Sequence, residues 1–481
     1  MLNNPDPTLI NDDLAPTSPE SRNWSVLHMA SLWIGMVVCV PTYMLAGGLI
    51  ALGMNWWQAV GTVLLGNVIV LVPMILNGHA GTKLGVPFPV LSRASFGIRG
   101  ANVPSILRGL VACGWFGIQT AIGGSAIYQL VDALTSEPLG AEDIAWLHLN
   151  PSELVCFLVF LGLQLVIIYR GIDSIKLLET WAAPFLILMG LALLGWAYQK
   201  ADGFGNMLSA KSAFDVGGEK EGQFLANFFP ALTGMVGFWA TLSLNIPDFT
   251  RYAKTQKDQA LGQAIGLPLF MTLFAFIGVA VTSASVTIYG EAIPDPTELA
   301  GRMGGGFGVA LALAALTIAT LSTNIAANVV SPANAIMNLS PQRASFRIGG
   351  FITAIIGVGI MPWRLIESTG GYIFTWLIGY SALLGPIGGI IIADYFLVRR
   401  TNINVDALFR RDGEYWYKSG FNWTAIAALT LGILPNVPGF LHQAGFVDNV
   451  PQIFQSIYIY AWFVGFLISG TFYTLAMPRQ D

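Results

Sequence analysis

Apolar residues in this chain come in long blocks, not at alternate positions. The first 25 or so residues are rich in Asn, Asp, Pro, Ser and Thr. Twelve apolar segments follow, at roughly 27–50, 56–76, 102–131, 152–170, 177–198, 224–247, 263–288, 307–333, 347–364, 371–397, 421–440 and 453–476. Each is near the ~20 residues that a helix needs to cross the hydrocarbon layer of a bilayer. Blocks this long exclude an outer-membrane barrel, whose strands alternate over about ten residues. The pattern predicts an all-α integral membrane protein with a disordered, cytoplasmic N-terminal tail at 1–26 and a short C-terminal tail at 477–481. The tail lacks the basic start and early apolar core of a cleaved signal.

Composition sharpens this. Of 481 residues, 54% are apolar and 10% charged, with a mean hydropathy of +0.63. Ordinary soluble proteins are about 25% charged, so this chain could not cover a water-facing surface of its own size. Membrane lipid is its expected surrounding. No basic stripe supports nucleic-acid binding. Cys39, Cys113 and Cys156 all lie in apolar runs, so no disulfide framework is implied. With both termini placed inside, 18 of the 23 Lys and Arg residues fall in inner segments and 5 in outer loops. That asymmetry predicts both termini in the cytoplasm, in the cell membrane. Oligomeric state is not readable.

Two spans look irregular. Span 1 carries Pro41 and Gly47–Gly48; span 6 carries Pro230, Gly234, Gly237 and Pro247. They lie five spans apart, as an inverted five-plus-five repeat requires, and interrupted spans in matching positions point to a transporter binding site. Intramembrane carboxylates are missing from mid-span: Glu179, Asp248 and Asp394 fall at inner ends and Asp132 at an outer end. A proton relay is therefore disfavoured, and a monovalent cation held by neutral oxygens is favoured as coupling ion. Span 8 supplies Ser322 and Thr323, with Asn324 and Asn328 one turn apart. In span 3, Trp115 and Gln119 share a helical face, and span 6 adds Trp239. Each alone reads more readily as packing or interhelical hydrogen bonding. Together they suit a planar, neutral, amide-rich heterocycle. The four histidines lack metal-ligand spacing, and neither a G-x-S-x-G nor a P-loop occurs, so an enzyme is not expected. The stretch GRMGGGFG at 301–308 reads as a flexible lead into span 8.

The stretches NGHAGTKLGVPFPVLSRASFGIRGANVP (77–104), WFGIQT (115–120), NIPDFTRYAKTQ (245–256), STNIAANVVSPA (322–333) and ADYFLVRR (393–400) resemble the nucleobase–cation symporter-1 family, and within it the bacterial allantoin and uracil permease branch. The resemblance runs in order from about residue 20 to 475. It implies a LeuT-like core of two inverted five-helix repeats (27–400) plus two further helices (401–476). It also implies alternating access, a bundle of spans 1, 2, 6 and 7 moving against a scaffold of spans 3, 4, 8 and 9. Carried over by motif, Trp115 and Trp239 would stack on the ring, and Gln119 and Asn328 would bond its imide or ureide edge. A sodium site would use the carbonyls of Gly35, Val38 and Ala319 and the hydroxyls of Ser322 and Thr323. Where hydantoin-type relatives have Gln and allantoin-type relatives Asn, this chain has Cys39, a weak hydrogen-bonding group. Phe238 narrows the slot beside Trp239. Both features favour a small ligand such as uracil over allantoin or a hydantoin.

Overall fold

A computed structural model describes the backbone of residues 2, 4–135, 142–170, 172–303, 306–365 and 367–478, and side chains for these except 172–183, 307, 308, 311, 362 and 365. The Glu179 side chain, Gly304 and Gly305 of the glycine-rich stretch, and residues 479–481 of the C-terminal tail thus lie outside the described residues. Among the described residues the chain is helical: α1 (Val26–Val37), α2 (Val40–Ala51), α3 (Trp56–Leu84), α4 (Phe88–Phe96), α5 (Asn102–Leu134), α6 (Pro151–Arg170), α7 (Ile172–Lys200), α8 (Phe224–Asn245), α9 (Gln256–Tyr289), α10 (Pro296–Arg302), α11 (Phe307–Asn328), α12 (Val330–Leu339), α13 (Phe346–Gly359), α14 (Gly371–Val398), α15 (Trp423–Gln443), α16 (Gln452–Ile459) and α17 (Ala461–Ala476).

Eight of the described helical stretches are long and apolar enough to cross a membrane, and two bent pairs, α1 with α2 and α16 with α17, raise this to ten. Helix α7 and the shorter apolar α13 occupy the two remaining expected places. About twelve spans, as read from the sequence, is the architecture of this multi-pass membrane protein.

The break in span 1 lies at Val38 and Cys39, where the chain leaves helical geometry and turns by 61°. Pro41 fits the break: it has no N–H to donate to the carbonyl four residues back, so the α1 ladder cannot run on into α2. Gly47 and Gly48 do not break α2. They let it pack closely, since a Cβ on Gly47 would collide with Thr282 of α9. Span 6 departs further from expectation. Helix α8 runs unbroken through Pro230, Gly234 and Gly237, and is interrupted only at Ile246, before a single turn at Pro247–Thr250. Pro230 sits in the second turn of α8, where it costs one ladder bond near the helix end rather than in its middle. Span 12 bends by 89° at Tyr460.

Packing divides the helices. Helices α1, α2 and α3 pack on α9 and α3 also packs on α8, while α5 packs with α6, α11, α12 and α13. Contact between the two groups is sparser, mainly α5 with α8 and α1 with α11. Within each group the approach is close: a Cβ on Gly81 of α3 would strike Thr250, and one on Gly357 of α13 would strike the Cys113 carbonyl of α5.

The N-terminal stretch expected to be a disordered tail is instead packed against one end of the helices. Leu14 is fully buried and Leu9 nearly so. The Arg93 guanidinium donates to the Leu9 and Leu408 carbonyls and to Asn338 Oδ1 at 2.8–3.0 Å. Arg251 donates to the Asp13 carbonyl at 2.8 Å, and the Thr17 amide to the Gly85 carbonyl at 2.8 Å. Asp6 pairs with Arg411 at 3.0 Å. A hydrogen bond from Thr8, aided by that cation, holds the Asp6 carboxyl below its ordinary value. Composition misled here because polar residues were read as solvated, whereas their backbone carbonyls serve buried arginines.

The same Arg-rich end holds Asp394 and Arg399. Arg399 Nε lies 3.1 and 3.0 Å from the two Asp394 oxygens, and both side chains are buried. Ser95 and Tyr473 donate to the same carboxylate at 3.0 and 2.8 Å, and Arg399 also donates to the Ala94 carbonyl. The ADYFLVRR motif is thus a fastening that joins α14, α4 and α17.

Candidate functional site

Halfway along the long α5 helix, Trp115 and Gln119 face α8 and α11. Met36, Cys39, Pro41, Trp115, Gln119, Phe238, Trp239, Thr241, Leu242, Thr323, Ala327 and Asn328 line one small cavity of about 30 Å³. All six residues read as ligand contacts (Cys39, Trp115, Gln119, Phe238, Trp239 and Asn328) therefore meet. As the side chains stand the space is too narrow for a heterocycle, so the lining must part for one to enter.

The walls are aromatic. Trp115 meets Phe238 edge-on, with centroids 5.3 Å apart, and Phe238 meets Trp239 edge-on at 4.9 Å. Trp239 in turn lies edge-on to Trp33 at 5.2 Å. The two tryptophans thus do not face each other across an open slot; Phe238 stands between them. Behind Trp115, away from the cavity, Tyr372, Trp376 and Tyr380 form a second aromatic layer at 5.9–6.4 Å. That layer fixes the Trp115 indole.

Polar groups in the cavity divide into spent and unspent. Cys39 Sγ lies 3.3 Å from Thr42 Oγ1, so its weak hydrogen-bonding capacity is already engaged within α2. Asn328 Nδ2 donates to Asn324 Oδ1 at 2.9 Å. Asn324 is itself anchored to the Phe116 carbonyl at 3.0 Å and to Gln164 Oε1 at 2.6 Å, and Gln164 donates to Thr120 Oγ1 at 2.9 Å. This chain fixes Asn328 with its carbonyl oxygen left over. Gln119 Oε1 and Trp239 Nε1 are buried without a hydrogen-bond partner. Unpaired buried polar atoms are costly, and such a set, an acceptor and a donor beside aromatic faces, matches a ligand carrying ring N–H and C=O groups. Gln164 escaped the sequence reading; its signal was a lone carboxamide in the otherwise apolar span 4.

Near this cavity lie the residues read as a cation site. Thr323 Oγ1 is 3.0 Å from the Ala319 carbonyl, and Ser322 is buried beside it. The break at Val38 turns its carbonyl out of the helical ladder (ψ 79°), and α1 touches α11. Gly35 stands on α1 with open space where a Cβ would point. These are neutral oxygens in buried surroundings. Of the acids placed at inner ends, Asp248 accepts from the Phe88 amide at 2.8 Å and from Asn245 at 3.2 Å. His28 caps α1, its ring 2.8 Å from Ser25 Oγ.

Residues 16–465 match the family described as permeases for cytosine/purines, uracil, thiamine and allantoin. The chain is 50% identical to a purine-uracil permease of Arabidopsis thaliana, over 98% of this chain and 78% of that one. It is 42% identical to an allantoin permease of Bacillus subtilis, over 98% and 93%. Among solved structures it is similar to Mhp1 in an inward-facing conformation, with a TM-score of 0.78 and 27% identity over 98% of this chain and 94% of that one. A closed Mhp1 with bromovinylhydantoin bound, described as a nucleobase-cation-symport-1 family transporter, matches with the same TM-score and identity over 98% and 95%. Its relatives are transporters rather than enzymes. With the interrupted span 1, the aromatic cavity between two helix groups and a match over nearly the whole chain in agreement, the protein belongs to the nucleobase–cation symporter-1 family of membrane permeases.

Proposed function

We propose that this protein imports a small amide heterocycle, uracil in preference to allantoin or hydantoins, across the cytoplasmic membrane by alternating access, coupled to sodium. The observation that carries the reading is the narrow aromatic cavity beside which Gln119 Oε1 and Trp239 Nε1 are buried and unpaired. Uracil offers ring N–H donors to Gln119 and Asn328, a carbonyl to Trp239, and a flat face to the Trp115 indole. Cys39 is engaged with Thr42, so one contact that a larger ureide would use is missing. Allantoin is the runner-up, favoured by the 42% identity to the Bacillus permease. Competition uptake with labelled uracil against allantoin, hydantoins, cytosine and purines tests the assignment: uracil competes best, and displacement by allantoin alone would reverse the order. Both termini lie in the cytoplasm on the charge asymmetry; reporters fused after Arg399 and after Asp481 read inside if this is right.

Sodium is preferred to a proton because Ser322, Thr323 and the Val38 carbonyl offer neutral oxygens, which can ligate a hard monovalent ion. A proton would need a titratable group in reach of the cavity. Coupling free energy is reciprocal, so sodium tightens ligand binding and the ligand tightens sodium binding by the same factor. Thr323→Ala is expected to weaken the sodium effect more than it weakens binding measured without sodium. Binding measured in sodium and in choline buffer at two pH values checks this. Equal affinity in both salts, with uptake following the pH gradient, would assign the coupling to protons.

A further inference from the structure

Helix α5 carries a cation on the same face as the ligand-binding pair. Arg108, Ala112, Trp115 and Gln119 are spaced by four, three and four residues, which is one stripe of an α-helix. Arg108 lies seven residues before Trp115, about 10 Å along the axis, toward the Arg-rich end. Its side chain is 1% exposed. A guanidinium buried inside a membrane helix group is expensive and is kept where it serves function.

Its partners are on the other helix group. Arg108 Nε lies 3.1 Å from the Thr241 carbonyl and 3.1 Å from Asn245 Oδ1, both on α8. Thr241 lines the cavity. Asn245 passes the link on to Asp248, which the Phe88 amide holds in turn. Arg108 Nη1 is buried with no partner, as is one guanidinium nitrogen each of Arg93, Arg251 and Arg399; what sets Arg108 apart is that both its acceptors lie on α8. Two acceptors on one helix, one of them a backbone carbonyl of the cavity wall, make it a cross-link between groups that otherwise touch sparsely.

We infer that Arg108 is a positioning residue of the transport cycle: it pins α8 to α5 directly below the cavity, and its release from Thr241 and Asn245 opens the route toward the Arg-rich end. The inference rests on the proposed movement of one helix group against the other. As the helices stand, the cross-link holds the wall formed by Thr241, Leu242 and Trp239 in register with Trp115. Separation of α8 from α5 breaks both bonds together, because one nitrogen makes them. The freed fork of donors then borders the opened route.

The test uses the full chain in sealed vesicles, with Ala112→Cys as a reporter on the same stripe and Cys113→Ala to keep its peptide unambiguous. A membrane-impermeant maleimide is added to one side or the other, and labelling at position 112 is read by peptide mass spectrometry. Arg108→Gln is expected to raise the labelling rate about tenfold, on the scale of the one charge-assisted N–H that the two acceptors share, and from the Arg-rich side only. Arg108→Lys, which keeps the charge but not the fork, gives a smaller rise. A folded Arg108→Gln protein that labels at the parent rate, or that labels faster from both sides equally, would overturn the inference in favour of plain packing. If Arg108→Gln does not fold, Asn245→Ala removes one acceptor and must still raise one-sided labelling; no rise there overturns the inference equally. One-sided labelling in a protein that takes up neither uracil, allantoin nor hydantoins would uphold the latch and refute the substrate assignment.

Discussion

Replacing Trp115 by alanine is expected to weaken ligand binding by about 5- to 150-fold, since stacking of a base on an aromatic ring contributes about 1–3 kcal/mol. The upper part of that range is the more relevant here. The indole is held from behind by Tyr372, Trp376 and Tyr380, so the stacking surface is rigid before the ligand arrives, and little ordering cost offsets the gain. Removing the ring also loosens the contact with Phe238. Trp115→Phe separates the two effects: it keeps a stacking face and should recover most of the affinity, whereas a loss due only to disturbed packing would persist. Equilibrium binding by calorimetry on monodisperse protein is the measurement. A folded Trp115→Ala variant with parental affinity would remove Trp115 from the site.

The second large effect falls on stability. Arg399→Ala strips the buried Asp394 of its counter-ion, and breaking a buried pair by removing one partner costs about 3–5 kcal/mol. Ser95 and Tyr473 still donate to the carboxylate, but neither supplies charge. The Arg399 guanidinium also lies 4.8 Å over the Tyr415 ring, so its loss loosens the 401–422 loop as well. The expected result is a markedly lower melting temperature and a reduced monodisperse fraction after extraction. Arg399→Met combined with Asp394→Leu should recover much of this, because replacing both partners by apolar groups removes the stranded charge. A single Arg399→Ala variant as stable as the parent would show that the carboxylate is neutralised in another way.

How far the site was legible depended on the kind of signal each residue carries. Trp115 and Gln119 share a face of one helix, and helical spacing alone puts them side by side. Asn328 joins them only as a chemically matching carboxamide from a distant span, and Cys39 could be anticipated only by resemblance to a family. Arg108 was read simply as one of the inner positive charges. The spacing that would have flagged it, seven residues from Trp115 on the same stripe, was in the sequence, but a charge near a span end has a ready topological explanation. The tail was misread for a different reason. Its composition is that of a solvated segment, and nothing in it announces that Arg93 and Arg251, lying far along the chain, would take its carbonyls.

What the sequence by itself determined is everything set by local chemistry: the number and length of the spans, because hydrocarbon thickness and backbone hydrogen bonding leave only helices of that length; the break in span 1, because Pro41 lacks an N–H; and the absence of a mid-span carboxylate. Tertiary structure decided which polar atoms are used up and which remain. Cys39 is engaged by Thr42 and Asn328 is oriented by Asn324 and Gln164, while Gln119 Oε1 and Trp239 Nε1 stay unpaired. It also decided that span 6 stays helical through its glycines, which serve close packing against α14 rather than a break. The reason is common to all of these. A hydrogen bond or a close contact is a relation between two residues in space, and partners tens or hundreds of positions apart leave no mark in the spacing of either one.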